Sequence, residues 1–226
     1  MIAAQAKAKG MCETMQRLLI FGDSNTHGTE PGSALGRYGP ETRWCESAAR
    51  DLGADWRLID EGLPGRTTQV DDPVMGAHMN GQRTWMTALA SHAPLDIVAI
   101  MLGTNDLKAR FGADAERIAA GIEGLIAILR AQSTSAWLGS PQLLVIAPAP
   151  VNVTGARAAE WHGSQEKSIF LSDAYRALAE RHGAAFLDAG EAGPVDPDEG
   201  IHWTAAGHAA ISKLFVAAVW QMAITG

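Results

Sequence analysis

Arg17-Leu18-Leu19-Ile20-Phe21-Gly22-Asp23-Ser24-Asn25-Thr26-His27-Gly28 starts as an apolar run and ends as a polar turn between two glycines. A short run of this kind, nearly continuous in apolar residues, reads as a strand covered on both faces. The glycines after it allow the chain to turn sharply into a helix. Outward from this stretch the pattern repeats. Apolar runs at 56–60, 97–102, 143–147 and 185–187 alternate with segments of helical period at 42–52, 80–91, 114–131 and 164–182. In the third of these segments Ile118, Ile122, Leu125 and Leu129 fall on one stripe, and Asp114 is placed to cap it. A last helix starts at Thr204, with Ile211, Leu214, Phe215, Ala218 and Met222 on its apolar face. Strands alternating with helices predict an α/β fold, a three-layer α/β/α sandwich around a five-stranded parallel sheet in flavodoxin-like order. In such sheets ligands bind beyond the carboxyl ends of the strands. There the polar stretches Gly22–Gly28, Glu61–Thr67, Gly103–Asp106 and Glu199–Trp203 would converge.

The 226 residues suffice for one well-buried domain, with 47% hydrophobic and 19% charged residues, an ordinary globular balance. Residues 17–226 read as that single domain and residues 1–16 as an N-terminal extension lacking the apolar core of a signal peptide. The net charge of −7, with no basic run, argues against nucleic acid and anionic membranes as partners. No stretch reads as a transmembrane span, and a cytoplasmic location is expected. Two cysteines, Cys12 and Cys45, are too few for a disulfide framework and are expected to be free thiols. No His/Cys/Asp cluster has ligand spacing, so neither a metal nor an organic cofactor is implied.

Ser24, directly after the first strand, can present its hydroxyl and its own N–H at the sheet edge. Gly22-Asp23-Ser24 is equally a turn with a helix cap. A phosphate loop would need a GxxxxGK[ST] or GxGxxG pattern, which is missing. His202 lies in Glu199-Gly200-Ile201-His202-Trp203-Thr204, just before the last helix, with a carboxylate three residues upstream. A histidine there supplies a base near neutral pH that can return its proton. His208, six residues on, is the nearest competitor. Two further groups suit an ester reaction, whose carbonyl oxygen gains negative charge. Gly65 can bring a bare backbone N–H close, although Pro64-Gly65 is also a type II turn signal. Asn105 offers a side-chain amide, although it too could only cap a turn. Asn25 and His27, beside Ser24, are expected to line the pocket.

These residues, in this order at strand ends, resemble the SGNH (GDSL-like) serine hydrolases over nearly the whole chain from Arg17. The resemblance implies Ser24 as nucleophile, His202 as base, and Ser24, Gly65 and Asn105 as the oxyanion hole. The family's acid stands three residues before the histidine. Here that position holds Glu199 in place of the family's Asp, with Asp198 as the neighbouring alternative. Asp60-Glu61-Gly62-Leu63, Arg66-Thr67-Thr68, Asp71-Asp72-Pro73, Asn80-Gly81 and Leu95–Asp106 resemble the aryl esterase and perhydrolase branch. That branch implies a small-molecule ester substrate, acyl transfer to alcohols or peroxide beside hydrolysis, and a homo-oligomer. The chain departs from it at Asn25, His27 and Thr29, where bulkier apolar residues are usual, and in a shorter segment 151–167. The competing reading is a non-catalytic carbohydrate- or partner-binding module on the same scaffold.

Overall fold

A computed structural model describes residues 15–33, 35–132 and 135–225. Cys12 and most of the expected N-terminal extension lie outside the described residues. Five strands form one sheet: β1 (Gln16–Gly22), β2 (Trp56–Gly62), β3 (Ile97–Met101), β4 (Gln142–Ala147) and β5 (Ala185–Asp188). All neighbours are parallel, in the order β2-β1-β3-β4-β5, the flavodoxin-like order. The first strand starts one residue earlier than the apolar pattern implies, because Gln16 pairs in register with Trp56.

The period-two alternation of the strands sorts their side chains into two cores. Leu19, Phe21, Val98, Ile100, Leu143 and Val145 join the core under α3 (Gly81–His92), α4 (Ala115–Gln132) and α6 (Leu171–Arg181). Leu18, Ile20, Ile97, Ala99, Leu144 and Ile146 face the other way, toward α2 (Trp44–Leu52) and α7 (Ala205–Thr225). The remaining helices, α1 (Ser24–His27) and α5 (Ser164–Ser168), are short and lie near the sheet's carboxyl edge. Asp114 caps α4 by accepting from Arg117 N–H at 2.8 Å, and Asn80 caps α3 by accepting from Gln82 N–H at 3.0 Å.

Two expectations need correction. The helix expected over 164–182 is two helices, broken at Ile169 and Phe170. Just before the break, the Ser168 hydroxyl donates to Gln165 C=O at 2.8 Å and accepts from Val151 N–H at 3.1 Å. Side-chain bonds of this kind compete with helix continuation. Secondly, Ala205–Ile224 is long and apolar enough, by length and composition, to cross a membrane. Its apolar character has a use inside the domain: Ile211, Phe215, Val219 and Met222 are buried against α2 and the sheet, with Phe215 edge-on to Trp44 at 5.1 Å.

Candidate active site

The polar turns at the carboxyl edge do converge. Asp23, rather than Ser24, is the cap of α1: its Oδ1 accepts from Asn25 N–H at 3.0 Å, and Ser24 is the first helical residue. Ser24 is thereby held at the helix N-terminus with its hydroxyl turned toward the loop before α7. His202 Nε2 lies 2.9 Å from Ser24 Oγ, and His202 Nδ1 lies 2.9 Å from Glu199 Oε1. Such a line (hydroxyl, imidazole, carboxylate) is what turns a serine into a nucleophile.

Glu199 reaches His202 despite its extra methylene because its carboxylate folds back over its own loop. Oε2 accepts from the N–H groups of Ile201 and His202 at 3.0 and 2.9 Å, which aims Oε1 at the imidazole. Burial works to raise the Glu199 pKa, but the hydrogen bond and charge of His202 and the two N–H donors outweigh it and hold it below the usual range. Gly200 makes the fold-back sterically feasible: its φ is +83°, and a Cβ there would strike the Asn152 backbone. Asp198 is not at the imidazole. Asp196 Oδ1 accepts from the N–H groups of Asp198 and Glu199 at 3.0 and 2.9 Å and so shapes the loop. Arg157 also donates to Glu199 Oε1, at 3.0 Å.

Asn25 and His27 do not line the cavity beside Ser24. The Asn25 amide instead brackets the histidine loop, donating to Ile201 C=O at 3.1 Å and accepting from Trp203 N–H at 3.3 Å. It fixes His202 from both sides. His27 packs with its backbone against Gly62 on β2, and its C=O accepts from Arg37 Nε at 2.8 Å. His208, the competing histidine, is fully buried near Trp44 and Tyr38, where burial lowers its pKa to about 4.

Gly65 and Asn105 both line the cavity that holds Ser24 and His202, a space of about 420 Å³. Gly65 also occupies the expected turn: Arg66 N–H donates to Leu63 C=O at 3.0 Å, and Gly65 has φ +92°. At that φ any side chain would strain the backbone, so glycine suits the position. One N–H of the Asn105 amide donates to Arg66 C=O at 3.1 Å, which ties the second donor to the first and leaves its other N–H for a ligand. A backbone N–H, a side-chain N–H and the Ser24 N–H are the kind of set that binds an oxyanion.

Behind this set, Asp106 accepts from Thr68 N–H (3.1 and 3.0 Å) and Thr68 Oγ1 (2.6 Å), clamping the β3 turn to the β2 turn. Burial raises its pKa to about 7, against the lowering effect of the Thr68 bonds. An acid whose folded pKa exceeds its unfolded value adds stability that is full below about pH 4 and lost as pH rises through about 7. Melting temperatures of wild type and Asp106→Asn, measured from pH 4 to pH 9, should therefore diverge. The variant is expected to gain on wild type as pH rises to 7, with the difference flat above 8.

Sequence motifs did not point to the rest of the wall. Met75, Lys108, Arg157, Glu160 and Trp161 line the same cavity. Their neighbourhood has no signature spacing, and Arg157, Glu160 and Trp161 come from the segment that reads only as short.

Comparisons with known proteins bear on the family and the fold. Residues 20–210 match the model of the GDSL-like lipase/acylhydrolase family. The chain is similar to the aryl esterase of M. smegmatis, at 35% identity over 91% of this chain and 99% of that one, with TM-score 0.86. It is similar also to a carbohydrate acetylesterase from Sinorhizobium meliloti, at 36% identity over 92% and 99%, with TM-score 0.86. A lipase/acylhydrolase from Enterococcus faecalis, at 19% identity over 91% and 95% and TM-score 0.66, shares the fold. A search of curated proteins gives no match. With the family model spanning most of the sheet and its turns, the chain belongs to the GDSL-like lipase/acylhydrolase family and is a carboxylic ester hydrolase.

Proposed function

We propose that the enzyme cleaves short-chain esters through an acyl-enzyme on Ser24. The observation that carries this reading is the Ser24–His202–Glu199 line, with both contacts at 2.9 Å, opening on a cavity that also holds Gly65 and Asn105. In the first half-reaction His202 Nε2 takes the Ser24 proton as Oγ bonds to the ester carbonyl carbon. Ser24 N–H, Gly65 N–H and the Asn105 amide donate to the resulting oxyanion. Glu199 holds Nδ1–H and stabilises the imidazolium. The C–O bond to the alcohol then breaks, and His202 returns the proton to the leaving oxygen. Water, another alcohol or hydrogen peroxide repeats the steps in reverse and frees Ser24.

Asn105→Ala should lower turnover by roughly 10²–10³-fold, the usual loss for one oxyanion donor, with a smaller change in KM. Steady-state kinetics checks this. Loss of stability with near-normal turnover per folded molecule would return Asn105 to a turn residue.

Chain-length preference is tested on acetyl, butyryl and octanoyl aryl esters, where acetyl and butyryl should lead. With an alcohol added below the molar concentration of water, ester product should form beside free acid. Free acid alone across several alcohols would remove the transfer step and leave the hydrolase. We also infer a homo-oligomer from the resemblance to the aryl esterase and perhydrolase branch; Val74, Ile169 and Phe170 expose apolar side chains that a subunit contact could cover. Light scattering on the purified protein reads its mass directly.

A further inference from the structure

Lys108 is the most unusual side chain in the cavity. It lies three residues after Asn105, lines the space that holds Ser24 and His202, and is only 3% exposed. An ammonium carries three N–H donors and is costly to bury without oxygen partners. Its one hydrogen-bond partner among the described residues is the Met75 thioether at 3.8 Å, a weak acceptor. The Trp161 ring, 5.6 Å away, adds a cation–π contact.

Nearby carboxylates are already held by other groups. Asp72 accepts from Arg110 at 2.7 Å and from the N–H groups of Val74 and Met75. Glu160 accepts from Arg110 at 2.7 Å and faces Arg157 at 3.7 Å. Glu199 serves His202, Arg157 and its own loop. The side of the cavity formed by Lys108 and Arg157 therefore offers cationic donors, of which Lys108 has no oxygen acceptor among the described residues. An anionic oxygen satisfies it better than a neutral one, since charge-assisted bonds are about twice as strong and are least screened in a buried site.

We propose that Lys108 is a substrate-binding residue that selects esters carrying a second, free carboxylate, such as half-esters of dicarboxylic acids or acyl esters of hydroxy acids. This rests on the esterase reading above and names its substrate class.

The test compares kcat/KM within two pairs. Monoethyl succinate against ethyl butyrate places the carboxylate on the acyl side, and 4-acetoxybenzoate against 4-methylphenyl acetate places it on the alcohol side. Each ester is measured with wild type, Lys108→Met and Lys108→Arg. In at least one pair the anionic-to-neutral ratio should fall roughly tenfold or more in Lys108→Met and recover in part in Lys108→Arg. As a check that needs no variant, succinate or 4-hydroxybenzoate should inhibit wild type at lower concentration than 4-methylphenol. Ratios unchanged by Lys108→Met, with the neutral esters still hydrolysed, would overturn the proposal and leave the esterase standing. Failure of wild type to hydrolyse any of the four would overturn both together.

Discussion

Ser24→Ala should cost on the order of 10⁴–10⁶-fold in kcat while leaving the protein folded. The expectation follows from where Ser24 sits. Its hydroxyl meets His202 Nε2 at 2.9 Å, and its neighbours Asp23 and Asn25 carry the structural bonds of the turn. A methyl in its place removes the atom that forms the acyl bond but no hydrogen bond that holds the loop. Circular dichroism and melting temperature should match wild type closely. Residual hydrolysis would then come from the oxyanion donors acting on bound ester and water. Substantial activity in a folded Ser24→Ala protein would mean that another group attacks the carbonyl.

Glu199→Gln should be nearly as severe, with a loss of about 10⁴-fold in kcat. A glutamine amide keeps the size of the carboxylate but can turn an N–H toward His202 Nδ1, which enforces the tautomer with the proton on Nε2. In that tautomer the ring cannot accept the Ser24 proton. Three other contacts make the carboxylate hard to replace: the Ile201 and His202 N–H groups and Arg157 all need acceptors. Asp198→Asn should change kcat only a few-fold, because Asp198 meets the loop through its backbone and not the imidazole through its side chain. The pair of variants decides the assignment: a crippled Asp198→Asn beside a mild Glu199→Gln would move the acid by one residue.

The fold was legible because strands covered on both faces leave continuous apolar runs, and those runs lie within a residue or two of the observed β1, β3 and β4. Ser24, Gly65, Asn105 and His202 were legible for a related reason. Each sits within a few residues of a strand end or helix start, where topology alone fixes which edge it joins. Side-chain direction was not legible in the same way. Asn25 is adjacent to Ser24, yet the first turn of a helix points successive side chains about 100° apart, so Asn25 faces the histidine loop and not the cavity. Lys108, Arg157 and Trp161 reach the cavity through irregular turns and 3₁₀ segments, whose paths depend on tertiary contacts such as Ala109 N–H to Glu160 C=O at 2.8 Å. No local spacing encodes a contact between residues fifty positions apart. The break at Ile169 was hidden likewise, since Ser168 bonds to Val151, a residue distant in sequence.

The central claim, that Ser24 is the activated nucleophile, is tested most directly by fluorophosphonate labelling followed by peptide mass mapping. An ordinary serine hydroxyl is inert to the reagent, and only one deprotonated by a paired base reacts at an appreciable rate. One adduct per chain is expected, on the peptide carrying Gly22-Asp23-Ser24-Asn25, lost in Ser24→Ala and strongly slowed in Glu199→Gln. An adduct on any other residue, or none on folded protein that still hydrolyses esters, would contradict it.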